Sequence, residues 1–114
     1  MTSPIHNPLG WKTVWLIAMF DLPVDTRAQR RAYVRFRKDL LDDGFTMMQY
    51  SVYQRHCASP ENAAVHVQRN GARVPAEGEV RFMAITDKQF EKIVTFVGRK
   101  RKAAAPSPSQ LEFF

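Results

Sequence analysis

Cysteine is nearly absent from this 114-residue chain, where Cys57 stands alone. No internal disulfide can form, which fits a reducing compartment. Long apolar runs are missing too. The longest, residues 14–20, falls far short of the roughly 20 residues that a membrane-spanning helix needs. Residues 1–11 hold two prolines and lack a basic start leading into an apolar stretch, so no secretory signal is read there. Acid is scarce as well: 11 Asp and Glu face 17 Lys and Arg, a net charge of +6. That imbalance favours polyanions, either nucleic acid or an anionic membrane surface. What the chain does contain is ordinary, 45% apolar and 25% charged residues, the balance of a soluble domain with one core. The expectation is a basic cytoplasmic domain with no membrane span.

Pro4, Pro8 and Gly10 punctuate residues 1–12, which read as a loosely attached, flexible lead-in. Residues 13–20 (TVWLIAMF) are β-branched, aromatic and apolar on both faces, which predicts a central, doubly buried strand. Pro23 forbids its extension. Thr26 and Gln29 have the spacing of a capping box and open a helix whose apolar face carries Ala32, Tyr33, Phe36 and Leu40. Gly44 stands where the C-terminal cap of that helix belongs. Residues 45–57 read as two strands, 45–49 and 51–56, joined by a tight turn or bulge. Ser59-Pro60-Glu61 opens a second helix that reaches Asn70. Residues 79–86 form a third long strand, 87–91 a helical turn and 93–97 a short strand. Residues 99–108 read as a basic tether, and 109–114 as a short alternating segment suited to a last docking strand.

The order strand, helix, strand, strand, helix, strand predicts an α+β, ferredoxin-like βαββαβ sandwich over residues 13–98, with appended C-terminal strands. Both helices of such a fold cover one face of the sheet. The first strand nevertheless offers Val14, Leu16 and Ala18 to one face and Trp15, Ile17 and Met19 to the other. Leaving a second apolar face wet costs about 25 cal/mol per Å². An identical subunit is the commonest cover, so a homodimer through the sheet faces is expected.

Two features carry candidate chemistry. Asp21 ends the central strand, and two copies meeting across a dimer dyad would repel unless a hard cation such as Mg²⁺, or a shared proton, intervened. The alternative is that Asp21 caps the following turn. The first helix gathers Arg27, Arg31, Arg35 and Lys38 opposite its apolar face, flanked by Arg30 and Arg37, with no acid between Arg27 and Lys38. Such a face suits phosphate contacts that release counterions, against the alternative of a plain solvated surface. The run Arg99-Lys100-Arg101-Lys102 is a second contact or a solubilising linker. His56, Cys57 and His66 lack the spacing of a zinc site. Ser51 has no His and Asp pattern that would make it a nucleophile. An RNA-recognition motif would share the fold, but residues 51–56 lack its basic, glycine-aromatic signature. Tyr50, Tyr53 and Phe82 are therefore read as core or dimer-face residues.

Met19-Phe20-Asp21-Leu22-Pro23-Val24-Asp25, then Arg30-Arg31, Gly44 and Gln49-Tyr50-Ser51-Val52-Tyr53 together resemble the small CRISPR-associated adaptation proteins, the second of the two core Cas families. Thr86-Asp87-Lys88-Gln89-Phe90 and the closing Gln110-Leu111-Glu112-Phe113-Phe114 resemble the version in compact type II systems. The resemblance implies a ferredoxin-like homodimer that bridges two dimers of the CRISPR integrase during spacer acquisition, an antiviral defence. It implies Mg²⁺ at the strand-end aspartate, here Asp21. It implies contacts to a double-stranded DNA prespacer from Arg27, Arg30 and Arg31, and docking of a neighbour by the terminal strand. Family members are classed as metal-dependent endonucleases acting on RNA or DNA. The chain departs from the pattern in its longer lead-in and in the tether before the last strand.

Three functions compete. A non-catalytic scaffold is favoured by the single good carboxylate in the sequence at this site, Asp21, since Asp25 belongs to the helix entrance. A phosphodiesterase would use Mg²⁺ at paired Asp21 residues, although two-metal nucleases collect several carboxylates to hold ions about 4 Å apart. A toxin-like ribonuclease shares fold and strand-end aspartate, but the strand-forming tail speaks for an assembly partner.

Overall fold

The computed structural model describes residues 13–103; the lead-in, residues 1–12, and the docking segment, residues 109–114, lie outside the described residues. The elements run β1 (Val14–Asp21), α1 (Arg27–Asp42), β2 (Thr46–Gln49), β3 (Val52–Cys57), α2 (Pro60–Gly71), β4 (Glu79–Thr86), α3 (Asp87–Glu91), β5 (Thr95–Val97) and β6 (Lys100–Lys102). Four strands form one antiparallel sheet in the order β2-β3-β1-β4. The first six elements in chain order thus build the ferredoxin-like α+β architecture. The apolar run of β1 lies in the interior of the sheet because both edges of that strand are paired, Ala18 opposite Tyr53 on β3 and Phe82 on β4. Among the described residues no helix is long and apolar enough to cross a membrane.

The helix-covered face holds the main core. Leu16, Ala18 and Phe20 of β1 meet Phe36 and Leu40 of α1, Ala63 of α2, and Tyr53 and Cys57 of β3. The Phe20 ring lies 5.8 Å from Tyr33, 5.3 Å from Phe36 and 5.6 Å from Tyr53. Each large apolar side chain buried here contributes about 1.5–3 kcal/mol. Burial also pushes the Cys57 thiol up from its ordinary range, so it is an inert core sulfhydryl.

The helix ends follow their sequence signals. The Thr26 hydroxyl accepts from Gln29 N at 3.0 Å, while Gln29 Oε1 accepts from Thr26 N and Asp25 N, both at 2.9 Å. At the far end Gly44 takes a left-handed φ of +91°, Phe45 N donates to Leu40 O at 3.0 Å, and Gly44 N to Leu41 O at 3.1 Å. This is the Schellman pattern, and its apolar contact joins Phe45 to Leu40 in the core. Ser59 caps α2 through Asn62 N at 3.0 Å, with Pro60 in the first turn. A second capping box, Thr86 with Gln89, starts α3.

Three local expectations change. The register between β2 and β3 shifts between Met47 and Gln49, so the turn falls on Tyr50 and Ser51, and Ser51 belongs to it rather than to a strand. The inserted Met48 packs against the second sheet face. That second face is not left wholly to a partner. Phe90 of α3 stacks on Trp15 at 4.0 Å and 11°, and with Ile17 they form a smaller core backed by Met19, Met48, Val52 and Ile85. Met83, on the same face opposite Ile17, stays about half exposed. Finally, the start of the expected tether is a strand: β6 pairs with β5, Val97 opposite Lys100, around a two-residue Gly98-Arg99 turn. Gly98 has φ +64°, and glycine leading a two-residue loop is a hairpin signal that the basic run obscured.

Candidate nucleic-acid interface and metal-binding strand end

Asp21 is the last residue of β1, and its side chain is exposed. The strand stops there because Leu22 dives into the core and Pro23 has no amide to donate. On one side the turn closing β2 and β3 lies close, with Phe20 N donating to Ser51 O at 3.0 Å. The Ser51 hydroxyl lies 3.1 Å from the Tyr33 hydroxyl, tying that turn to α1. On the other side Asp21 pairs in register with Glu79, the first residue of β4. Gly78 makes this approach possible: a Cβ there would lie 2.6 Å from the Asp21 carbonyl oxygen, and its φ is +93°.

The donor chemistry at this end suits a small hard cation, which takes one or two carboxylates and completes its shell with water. Among the described residues there is no group of three or more His, Cys, Asp or Glu able to hold a metal. His56 and His66 go elsewhere. His56 Nε2 lies 3.2 Å from Asp87 Oδ1, while the hydroxyl of Thr13 donates to Asp87 Oδ2. His66 Nδ1 lies 2.7 Å from Asp43 Oδ2.

The loop after Asp21 leads straight into the basic helix. No acidic residue sits in the first turn of α1. The positive end of the helix dipole therefore adds to its arginines. Arg27, Arg31 and Arg35 are exposed and form no ion pair among the described residues. At 1.5 Å per residue, Arg27 and Arg35 stand about 12 Å apart along the axis. Spaced four apart, the three guanidinium groups form one row.

The other predicted contacts are placed differently. Arg30 donates from Nη1 to Val24 O and Asp25 O, both at 3.1 Å, so its guanidinium clamps the loop that follows Asp21. Lys38 bonds Asp42 Oδ2 at 2.8 Å, and that hydrogen bond raises its pKa. Arg37 lies over the Tyr53 ring, 5.9 Å from its centroid. Sequence reasoning missed Glu79 as a neighbour of Asp21. Only the β1–β4 register reveals it, because 58 residues separate the two in the chain.

It also missed the polar cluster beneath the helices. The nearly buried Asp43 carboxylate accepts from Arg69 Nη1, and from Asn70 Nδ2 at 2.8 Å, and lies against His66. Burial pushes the Asp43 carboxyl up, but the hydrogen bonds to His66, Asn70 and Arg69 outweigh that and hold it below the ordinary value.

Comparison with known proteins bears on all of this. The family model described as "CRISPR associated protein Cas2" matches residues 14–93, from the start of β1 to just past α3. A protein of Parvibaculum lavamentivorans named "CRISPR-associated endoribonuclease Cas2" is 68% identical over 101 residues, covering 89% of this chain and 100% of that protein. A Flavobacterium psychrophilum protein of the same name is 45% identical over 104 residues, 91% and 90% of the two chains. One from Streptococcus mutans is 36% identical over 98 residues, 86% and 92%. With the matched segment spanning the whole four-stranded sheet, its helices and the Asp21 strand end, the chain belongs to the Cas2 family of CRISPR-associated proteins.

Proposed function

We propose that the chain acts in CRISPR spacer acquisition, in the cytoplasm, as a homodimer that holds double-stranded DNA for the CRISPR integrase and binds Mg²⁺ at Asp21. The observation that carries the reading is the acid-free row of Arg27, Arg31 and Arg35 on α1, exposed and without ion pairs among the described residues. A row with neither acid nor internal partner is built for phosphates, whose neutralisation releases counterions.

The dimer part rests on the second sheet face. Trp15 Nε1 and Gln54 Oε1 are buried there with no hydrogen-bond partner among the described residues, and Met83 beside them is about half exposed. A second copy covering this face would remove the apolar area from water and give the two orphaned groups partners. It would also carry two Asp21 carboxylates to a common axis.

A second reading has its own support. The similar proteins are named endoribonucleases, and an exposed carboxylate at a strand end suits Mg²⁺-dependent phosphodiester hydrolysis of RNA or DNA. Mg²⁺ bound at Asp21 would supply Lewis-acid polarisation of a phosphodiester oxygen. Asp21 would hold the ion, and the arginines of α1 would orient the backbone beside it.

Light scattering and fluorescence anisotropy on the purified chain separate these readings. The expected result is a mass of two chains at micromolar concentration, and duplex DNA binding that Asp21→Asn leaves unchanged. A monomer, or a wild-type chain that ignores duplex DNA at low salt, overturns the bridge. Metal-dependent cleavage that vanishes with Asp21→Asn establishes the hydrolase.

A further inference from the structure

We propose that Glu79 is the second carboxylate donor of the Mg²⁺ site, an inference that rests on the assignment of Mg²⁺ to Asp21 above. The antiparallel register sets Asp21 of β1 directly opposite Glu79 of β4. Residues so paired share a sheet face, with Cβ atoms about 4.5–5.5 Å apart. Two like charges in that relation destabilise a sheet unless something compensates them.

The compensation within the chain is incomplete. Arg81, two residues further along on the same face, bonds Glu79 Oε1 from Nε and Nη2, both at 3.1 Å. Glu79 Oε2 and both oxygens of Asp21 take no ion pair among the described residues. Both carboxylates are exposed, so water can fill the remainder of a coordination shell. Mg²⁺ asks for this donor set: one or two carboxylates, the rest water.

The chain also invests in the juxtaposition. Only glycine at position 78 lets β4 begin pressed against the Asp21 carbonyl, which brings Glu79 level with Asp21. Each subunit then contributes two carboxylates, and a homodimer through this face would assemble four about its axis. That changes the balance struck from sequence alone, where one carboxylate per subunit spoke against metal chemistry.

Direct Mn²⁺ titration followed by electron paramagnetic resonance, on the full-length chain with its oligomeric state checked in each variant, reads binding without reference to activity. Asp21→Asn and Glu79→Gln are each expected to weaken Mn²⁺ binding by roughly tenfold or more. Arg81→Gln, which frees Glu79 from its ion pair, is expected to bind Mn²⁺ no less tightly than wild type. If Glu79→Gln binds like wild type while Asp21→Asn does not, Glu79 is no donor and the Asp21 assignment stands. If Asp21→Asn binds like wild type, the metal reading itself fails, and this proposal with it. If Arg81→Gln weakens binding as much as Glu79→Gln, the effect belongs to the Glu79–Arg81 pair as a structural element, and the proposal is overturned.

Discussion

Changing Arg27, Arg31 and Arg35 together to alanine is expected to lower duplex DNA affinity by on the order of a hundredfold at 0.1 M salt, without destabilising the fold. Each phosphate contact contributes about 0.9 to the slope of log affinity against log salt, so losing three per subunit flattens that slope by about 2.7 per subunit engaged. Stability should move the other way. The three arginines stand four apart on one helix, and like charges at that spacing cost about 0.2–0.5 kcal/mol per pair. No acid lies within α1 before Asp39 to offset them. The triple variant should therefore melt at the same temperature as wild type or slightly above it. Salt-dependent anisotropy and thermal melts together check this. Weak binding with a lowered melting temperature would assign the arginines to the fold instead. Arg30→Ala is a different case, because its guanidinium holds the Val24 and Asp25 carbonyls, and it belongs with the loop rather than with this row.

The largest loss of stability is expected from Asp43→Ala. The Asp43 side chain is only 7% exposed. Its carboxylate joins the end of α1 to His66, Arg69 and Asn70 of α2. Its carbonyl also accepts from Arg55 Nε at 2.7 Å, tying β3 into the same cluster. Removing the carboxylate strands donors that have no other acceptor nearby, a change that typically costs about 3–5 kcal/mol. Set against a total stability of about 5–15 kcal/mol, that leaves a marginal protein. Urea denaturation checks the magnitude.

The pH dependence follows from the direction of the Asp43 shift. Its carboxyl is held below the ordinary value of 3.8, so its stabilising contribution is complete above that value. The contribution is lost as pH falls through the lower, folded-state value. Asp43→Asn cannot titrate, so the stability gap between wild type and this variant should narrow as the pH is taken from about 5 down to about 2. A gap that stays constant over that range would mean the carboxylate is not selectively stabilised in the folded state.

Much of the fold was legible because local signals agreed with one another. The run TVWLIAMF could only be a strand buried on both faces, and the Thr26–Gln29 box and Gly44 mark both ends of α1 through side-chain and φ requirements that act within a few residues. Asp21 and the arginine row were legible for the same reason, since strand ends and helix faces follow from short periods.

What the sequence hid depends on register or on distant contacts. Glu79 sits beside Asp21 only because β1 and β4 pair as they do. The Asp43 cluster draws on α1, β3 and α2 at once, and none of its members has a recognisable spacing. Phe90 looked like part of a helical turn, and only its stacking on Trp15 reveals that α3 covers one end of the second sheet face. The hairpin of β5 and β6 was masked by four consecutive cations, whose low strand propensity outweighed the glycine signal.

The central claim is that this chain works by holding DNA rather than by cutting RNA. Spacer acquisition in cells carrying the cognate integrase and repeat array tests it most directly, comparing wild type, Arg27/Arg31/Arg35→Ala and Asp21→Asn at matched protein levels. The account predicts that new spacers disappear with the arginine variant and continue with Asp21→Asn. Acquisition that survives loss of the arginines but stops with Asp21→Asn would contradict it, and would place metal chemistry at the end of β1 at the centre of the function.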